Sequence, residues 1–255
     1  MSRFGLIGNP ISHSKSPALF AAAYGKSSHT YSLFETGSIG EAIGLFMGSD
    51  IKGVNVTSPF KDSVMDFVTL PDRISSLLGS ANVLIKGDRA EEILSYNTDY
   101  YGVKRSVEAL LIKEYGRAVV VGAGGAGKAA ALAMRDLGFE VTIVNRTARK
   151  AEVFAEKIGA TYAPLDKLAD AVYGSDIIIY SLSFPLEGIE SIDFTGKIIF
   201  EANYLCPSMA WSDNIESVKY IDGRYWLYNQ AIPAFELFTG ECPNKLEMRK
   251  VVGIE

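Results

Sequence analysis

Two stretches of this chain carry residue types whose spacing suits phosphate binding. The first, Val120-Val121-Gly122-Ala123-Gly124-Gly125-Ala126-Gly127, ends an apolar run in glycines and passes into Lys128-Ala129-Ala130-Ala131-Leu132. Strand, glycine turn and helix start follow in the order that a dinucleotide pyrophosphate needs. Gly122 can make the tight turn, Gly124 can let backbone approach the phosphates, and Gly127 can let helix and strand pack closely. The free amides and positive end of the helix then face the anion. In the second stretch, the apolar run Val141-Thr142-Ile143-Val144 ends in Asn145-Arg146-Thr147-Ala148-Arg149-Lys150. An NAD site carries an Asp or Glu about 20 residues past the glycines, to hold the ribose 2′-hydroxyl. Here that strand end carries Arg146, Arg149 and Lys150 instead. The planar fork of Arg146 suits a 2′-phosphate, and cations at a helix N-terminus oppose its dipole unless an anion joins them. The expected cofactor is therefore NADP rather than NAD.

A different chemistry is spread over the first hundred residues. Polar clusters close predicted strands at Ser12-His13-Ser14-Lys15-Ser16-Pro17, Asn55-Val56-Thr57-Ser58-Pro59-Phe60-Lys61, Ala81-Asn82 and Asn97-Thr98-Asp99. Hydroxyls and amides with one Lys and one Asp make a lining for a small polyhydroxylated molecule. Ligands of open α/β sheets gather outside the carboxyl ends of the strands. Each cluster alone has an ordinary explanation: Ser14 or Ser16 as a helix cap, Asn97 and Asp99 as turn residues, Lys61 as a solvated lysine. All of them together at strand ends favour a binding site.

The elements that must position these residues alternate. Strands are predicted at Phe4–Ile7, Tyr31–Phe34 and Gly53–Val56, and helices at Pro17–Tyr24, Ile39–Met47 and from Pro59 through Val68. A hairpin-like piece joins Ala81–Ile85 to Ile93–Tyr96. A helix from about Tyr101 to Leu111 leads to a second unit beginning at Arg117, with further strands at Ile177–Ile179 and Ile198–Phe200. The tail from Gln230 to Val252 reads as two helices, with Gly240 ending the first and Pro243 opening the second. Such alternation predicts mainly parallel sheets with helices on both faces. The expected architecture is α/β with two domains and a cleft between them. Residues 1–101 completed by 230–255 would bind substrate, and residues 102–229 would form a Rossmann dinucleotide-binding domain.

Composition agrees with a globular protein. The chain has 255 residues, 48% hydrophobic and 22% charged, with a net charge of −5 that argues against a nucleic-acid or membrane partner. Cys206 and Cys242 form no disulfide framework, and His13 and His29 join no cluster with metal spacing. No run reaches membrane-spanning length and the N-terminus lacks a signal peptide's apolar stretch, so a cytoplasmic location is expected.

Gly8-Asn9-Pro10-Ile11-Ser12-His13-Ser14-Lys15-Ser16-Pro17, the segment Asn55 to Lys61, Asn97-Thr98-Asp99, the Gly122–Gly127 turn with Asn145-Arg146-Thr147, and Gln230-Ala231 closely resemble the shikimate dehydrogenase family in order and spacing. The resemblance runs nearly end to end. It implies an NADP-dependent reduction of 3-dehydroshikimate to shikimate, on the route to chorismate and aromatic amino acids; the chain itself leaves monomer or homodimer open. Ser14, Ser16 and Tyr204 would hold the substrate carboxylate, and Asn55, Thr57, Asn82, Asp99 and Gln230 the ring hydroxyls. Lys61 and Asp99 would form the catalytic pair. Gly122, Ala123, Gly124, Gly125 and Ala126 would hold the pyrophosphate. Asn145, Arg146, Thr147 and Lys150 would hold the 2′-phosphate, with Ala202 and Gly223 at the nicotinamide end. The chain departs from the family pattern at Tyr100, which replaces a glycine and would crowd a turn beside the site. It departs also at Ser181-Leu182-Ser183, at Glu201-Ala202-Asn203, at Val83 after Asn82, and at Trp226, which replaces a Met.

The chemistry is consistent with this assignment. Hydride addition to a ketone leaves an alkoxide, so a proton donor must stand near that oxygen, and Lys61 is the donor that these clusters offer. Asp99 better orients and accepts from a substrate hydroxyl. Two rival readings remain: a quinate or mixed quinate/shikimate dehydrogenase, decided near Ser14, Ser16 and Tyr204, and a catalytically silent dinucleotide-binding regulatory module.

Overall fold

A computed structural model describes residues 2–25, 29–110 and 116–254. The chain divides into two compact units, Met1–Thr98 with Gln230–Glu255, and Asp99–Asn229. The division falls within the Asn97-Thr98-Asp99 motif, between Thr98 and Asp99.

The first unit runs through β1 (Arg3–Gly8), α1 (Ser16–Tyr24), β2 (Thr30–Glu35), α2 (Ile39–Gly48), β3 (Ile51–Val56), β4 (Leu70–Pro71), α3 (Arg73–Leu78), β5 (Val83–Lys86) and β6 (Ile93–Tyr96). These strands form one sheet in the order β2-β1-β3-β5-β6-β4. Only β5 is reversed, being antiparallel to both β3 and β6. Polar caps define the helix starts: Ser38 Oγ accepts from the Glu41 amide at 3.4 Å, and Asp72 Oδ1 accepts from the Ser75 amide at 2.7 Å. The apolar positions of β1, β3 and β5, including Ile7, Val54, Val56 and Leu84, pack on Ile43 and Phe46 of α2. The helix expected from Pro59 through Val68 does not form. Phe60 N donates to Thr57 O while the Ser58 carbonyl accepts from Asn9 N, and only a 3-10 turn, Ser63–Phe67, follows. Bonds between neighbouring loops thus take the groups that a helix would have used.

The second unit comprises α4 (Asp99–Leu110), β7 (Arg117–Val121), α5 (Gly125–Asp136), β8 (Glu140–Asn145), α6 (Ala148–Ile158), β9 (Thr161–Pro164), α7 (Leu168–Tyr173), β10 (Ile177–Tyr180), β11 (Ile198–Glu201), β12 (Lys219–Ile221) and the start of α8 (Gly223–Thr239). Its six strands are all parallel, in the order β12-β11-β10-β7-β8-β9. Burial on both faces explains the near-continuous apolar runs, such as Ile177-Ile178-Ile179. The first helix starts at Asp99 rather than Tyr101, and Leu111, its expected last residue, lies outside the described residues.

Helix α8 begins at Gly223, seven residues before the expected Gln230, so Gly223 opens a helix. Gly240, at φ +71°, follows its last turn. The last helix, α9 (Lys245–Val252), is capped by Asn244, whose Oδ1 accepts from the Glu247 amide at 3.3 Å; Pro243 lies just outside it. Among the described residues, no helix is long and apolar enough to cross a membrane.

Candidate active site

In the first unit the polar clusters converge because their loops are bonded to one another. Asn9 N donates to Ser58 O at 3.0 Å, and Thr57 N donates to Ile7 O at 2.9 Å, joining the loops that follow β1 and β3. A Cβ at Gly8 would lie 2.4 Å from Thr57 Cγ2, so only glycine permits this approach. Glu35, at the end of β2, accepts from the amides of Ile11 and Ser12 at 2.8 and 3.2 Å, fixing the loop ahead of Ser14 and Ser16. Ser14 Oγ accepts from Ser16 N at 3.2 Å, while the α1 cap position itself falls on Lys15. Lys61, half-buried, is held by its backbone, whose carbonyl accepts from Ala81 N at 2.9 Å.

The Ala81-Asn82 cluster lies at the start of β5, not at a strand's carboxyl end. The reversal of β5 brings it to the same edge as the ends of β3 and β6: Val56 N donates to Asn82 O, and Asn82 N donates to Tyr96 O. The amides there are ordered by a network. Asn82 Oδ1 accepts from Thr98 N at 2.7 Å, and Asn82 Nδ2 donates to Thr98 Oγ1 at 3.0 Å and to Gln230 Oε1 at 3.3 Å. Thr98 Oγ1, accepting from Asn82, donates in turn to Gln230 Oε1 at 3.2 Å. Gln230 Oε1 thus takes donors from both Asn82 and Thr98. Asn55 Oδ1 accepts from Tyr31 OH at 2.7 Å, and its Nδ2 donates to Asn82 O at 3.2 Å. Sequence reasoning overlooked Tyr31, Glu35 and Thr98 as supports. Only the Thr98 hydroxyl, beside two named residues, left any signal.

In the second unit Gly122 adopts φ +105°, a conformation that favours glycine. Its amide donates to Val144 O at 2.8 Å. A Cβ at Gly127 would lie 2.1 Å from the Gly122 carbonyl oxygen, the close helix–strand approach inferred for the third glycine. Nothing lies within 4 Å of a Cβ at Gly124, which caps α5 without a side chain and is exposed. No acid stands in the first turn of α5. Asn145 Oδ1 accepts from Ala123 N at 3.2 Å and its Nδ2 donates to Thr147 O at 3.0 Å, tying the β8 loop to the glycine turn. Arg146, Arg149 and Lys150 are exposed around the N-terminus of α6, whose first turn also lacks an acid. Three exposed cations at a positive helix end repel one another and the dipole, an arrangement that an anion such as a phosphate would relieve.

The loops after β10 and β11 carry the other residues that the sequence singled out in this unit. Ser181 Oγ donates to Val121 O at 2.7 Å, beside the glycine turn. A Cβ at Gly223 would lie 2.6 Å from Ala202 O, so the start of α8 rests directly on the Ala202-Asn203 backbone. Glu201, fully buried, accepts from the amides of Ser208 at 2.5 Å and Met209 at 3.0 Å and from Tyr220 OH at 2.8 Å. Burial nevertheless raises its carboxyl above the ordinary carboxylate range, and the Tyr220 hydroxyl is raised by burial and by that carboxylate. Glu201 thereby anchors the loop that carries Tyr204, a role that sequence reasoning missed; its one sequence signal is an acid closing the apolar run Ile198–Phe200. Tyr204 and Asp99 both belong to the second unit. Asp99, in the first turn of α4, accepts from Trp226 Nε1 at 3.2 Å. Tyr100 does not crowd a turn: it is buried on α4 and donates to Asp136 Oδ2 at 2.9 Å, burial raising its pKa. Helical backbone at Asp99–Tyr101 turns the ring into the unit's own core.

A six-stranded parallel sheet in this order, with a glycine turn leading into α5, defines a Rossmann-type dinucleotide-binding α/β protein. Residues 6–84 match the model of the shikimate dehydrogenase substrate binding domain, and residues 103–195 that of shikimate / quinate 5-dehydrogenase. The chain belongs to the shikimate dehydrogenase family. It is 36% identical to the shikimate dehydrogenase (NADP(+)) of Natronomonas pharaonis, covering 95% of each chain, and 31% identical to that of Pyrococcus abyssi, covering 98% of this chain and 97% of the other. Among solved structures it is similar to the Thermus thermophilus shikimate 5-dehydrogenase in complex with NADP(H) and shikimate, with TM-score 0.84, 27% identity and 99% of each chain covered. A quinate dehydrogenase from Corynebacterium glutamicum in complex with NAD shares the fold at TM-score 0.84 and 22% identity, covering 98% of each chain.

Proposed function

We propose that this protein is an NADP-dependent shikimate dehydrogenase, interconverting 3-dehydroshikimate and shikimate. The observation that carries the reading is that the loops bearing Ser14, Thr57 and Lys61 are bonded to one another and to the β5 start, and that Asn55 of β3 and Gln230 of α8 are hydrogen-bonded to Asn82 at the same end of the sheet. The residues of the second unit fit NADP: Gly122 to Ala126 would hold the pyrophosphate, and Asn145, Arg146, Thr147 and Lys150 the 2′-phosphate. Ala202 and Gly223 would border the nicotinamide. The bound cofactor supplies or accepts the hydride.

In this reading the chain's own groups do the rest. Ser14 and Ser16 hydroxyls, with Tyr204, hold the substrate carboxylate. Asn55, Thr57, Asn82 and Gln230 orient the ring through its hydroxyls. The Lys61 ammonium gives its proton to the oxygen that gains negative charge, and in the reverse direction Lys61 takes that proton back. Asp99 accepts a hydrogen bond from a substrate hydroxyl and so turns the ring. The similarity of residues 103–195 to shikimate / quinate 5-dehydrogenases leaves quinate open; that acid carries an additional hydroxyl beside the carboxylate, which Ser14, Ser16 and Tyr204 would have to admit. We place the protein in the cytoplasm, as a monomer or homodimer; two free thiols, Cys206 and Cys242, suit a reducing compartment. The test is NADPH formation followed spectrophotometrically with shikimate and then quinate. Turnover of shikimate is expected, and absence of turnover with both acids overturns the reading.

A further inference from the structure

Trp226 stands where the family pattern has Met, and its contact with Asp99 has no counterpart that a thioether could make. The indole is 4% exposed, its ring lies 5.6 Å from that of Phe200, and its Nε1–H donates to Asp99 Oδ1 at 3.2 Å. Asp99 itself is only 5% exposed. An indole N–H is a donor only, so it pairs with a carboxylate oxygen and never competes for a hydrogen atom. The ring is stiff and held on α8 against β11, whereas a short Asp side chain can rotate about two torsions. A hydrogen bond from a fixed donor restricts that freedom at Oδ1; pre-set geometry of this kind acts on turnover more than on binding. Met offers at most a weak acceptor and cannot do this.

We propose that Trp226 is a positioning residue for Asp99, its indole N–H setting the orientation in which the carboxylate meets the substrate hydroxyl. This rests on the reading that Asp99 contacts the substrate. Trp226→Phe and Trp226→Met are expected to lower kcat by about 10-fold, the scale of one hydrogen bond to a charged group, with the KM for shikimate and the Kd for NADP within about twofold of wild type. Added to Asp99→Asn, Trp226→Phe is expected to cost little more, because the group that it orients is already altered. A readout independent of turnover uses a Trp211→Phe background, in which Trp226 is the only indole: Asp99→Asn should shift its fluorescence emission. Full turnover by Asp99→Asn would refute the role of Asp99 and the proposal with it. If Asp99→Asn collapses turnover while Trp226→Phe keeps wild-type kcat, or the two losses simply multiply, the role of Asp99 stands and the positioning role of Trp226 is overturned. Emission unchanged by Asp99→Asn also overturns it, and that measurement stands even if the Trp226 variants fold poorly.

Discussion

Arg146 reaches solvent at the start of α6, where its charge is unfavourable unless a phosphate meets it. Arg146→Ala is therefore expected to weaken NADP binding by roughly 10-fold, the low end for a hydrogen bond to a charged group, since Arg149 and Lys150 compensate in part. NAD, lacking the phosphate, should be nearly unaffected; equal impairment with both cofactors in kcat/KM would show that the cluster is not a phosphate site. Lys61→Ala is expected to lower kcat by about 10²–10⁴-fold with a small change in KM, the range of general acid catalysis, and steady-state rates with shikimate check it. Both side chains were legible in the sequence, because an Arg at a strand end and a Lys within a polar strand-end cluster declare themselves locally. The Trp226–Asp99 and Thr98–Gln230 bonds were not, since their partners lie 127 and 132 residues apart in the chain.

The glycine turn between β7 and α5 separates strain from function within one element. Gly127→Ala places a Cβ 2.1 Å from a backbone oxygen, so overpacking should cost about 1–3 kcal/mol in denaturant unfolding. Gly124→Ala meets nothing within 4 Å and should leave stability within about 0.5 kcal/mol, yet weaken NADP binding if that backbone approaches the pyrophosphate. Unchanged NADP affinity in Gly124→Ala would remove this approach. The loop after β11 depends on Glu201, whose two oxygens take three donors. Glu201→Gln turns an N–H2 toward one of them and should cost about 1–3 kcal/mol. Because burial raises this carboxyl, the folded protein takes up its proton at a higher pH than the unfolded chain does. Its contribution to stability therefore grows as pH falls through that window and is lost as pH rises through the folded-state pKa. Wild type should gain on Glu201→Gln as pH falls, and a constant difference between the two stability curves would contradict it. Periodicity and glycines revealed most elements, but not the turn at Thr57–Asp62, where bonds to the β1 loop override Pro59's fitness for a helix start.

At the scale of the whole molecule, the two units should answer to different ligands. Hydrogen exchange with NADP is expected to slow amides at Gly122–Ala126 and Asn145–Lys150, and with shikimate those near Ser14–Ser16 and Asn55–Lys61, because a ligand protects what it binds. Protection by NADP confined to residues before Thr98 would reverse the proposed division of labour. The sequence by itself determined the α/β class, the glycine turn, the basic cluster and the family, since each is written in short runs whose spacing has a direct mechanical meaning. Tertiary structure decided that β5 runs backward, bringing Asn82 to the edge where β3 and β6 end. It decided that Asp99 opens α4 and accepts from Trp226. Strand direction and hydrogen-bond partners depend on which surfaces bury each other across long stretches of chain, and local spacing carries no record of that choice.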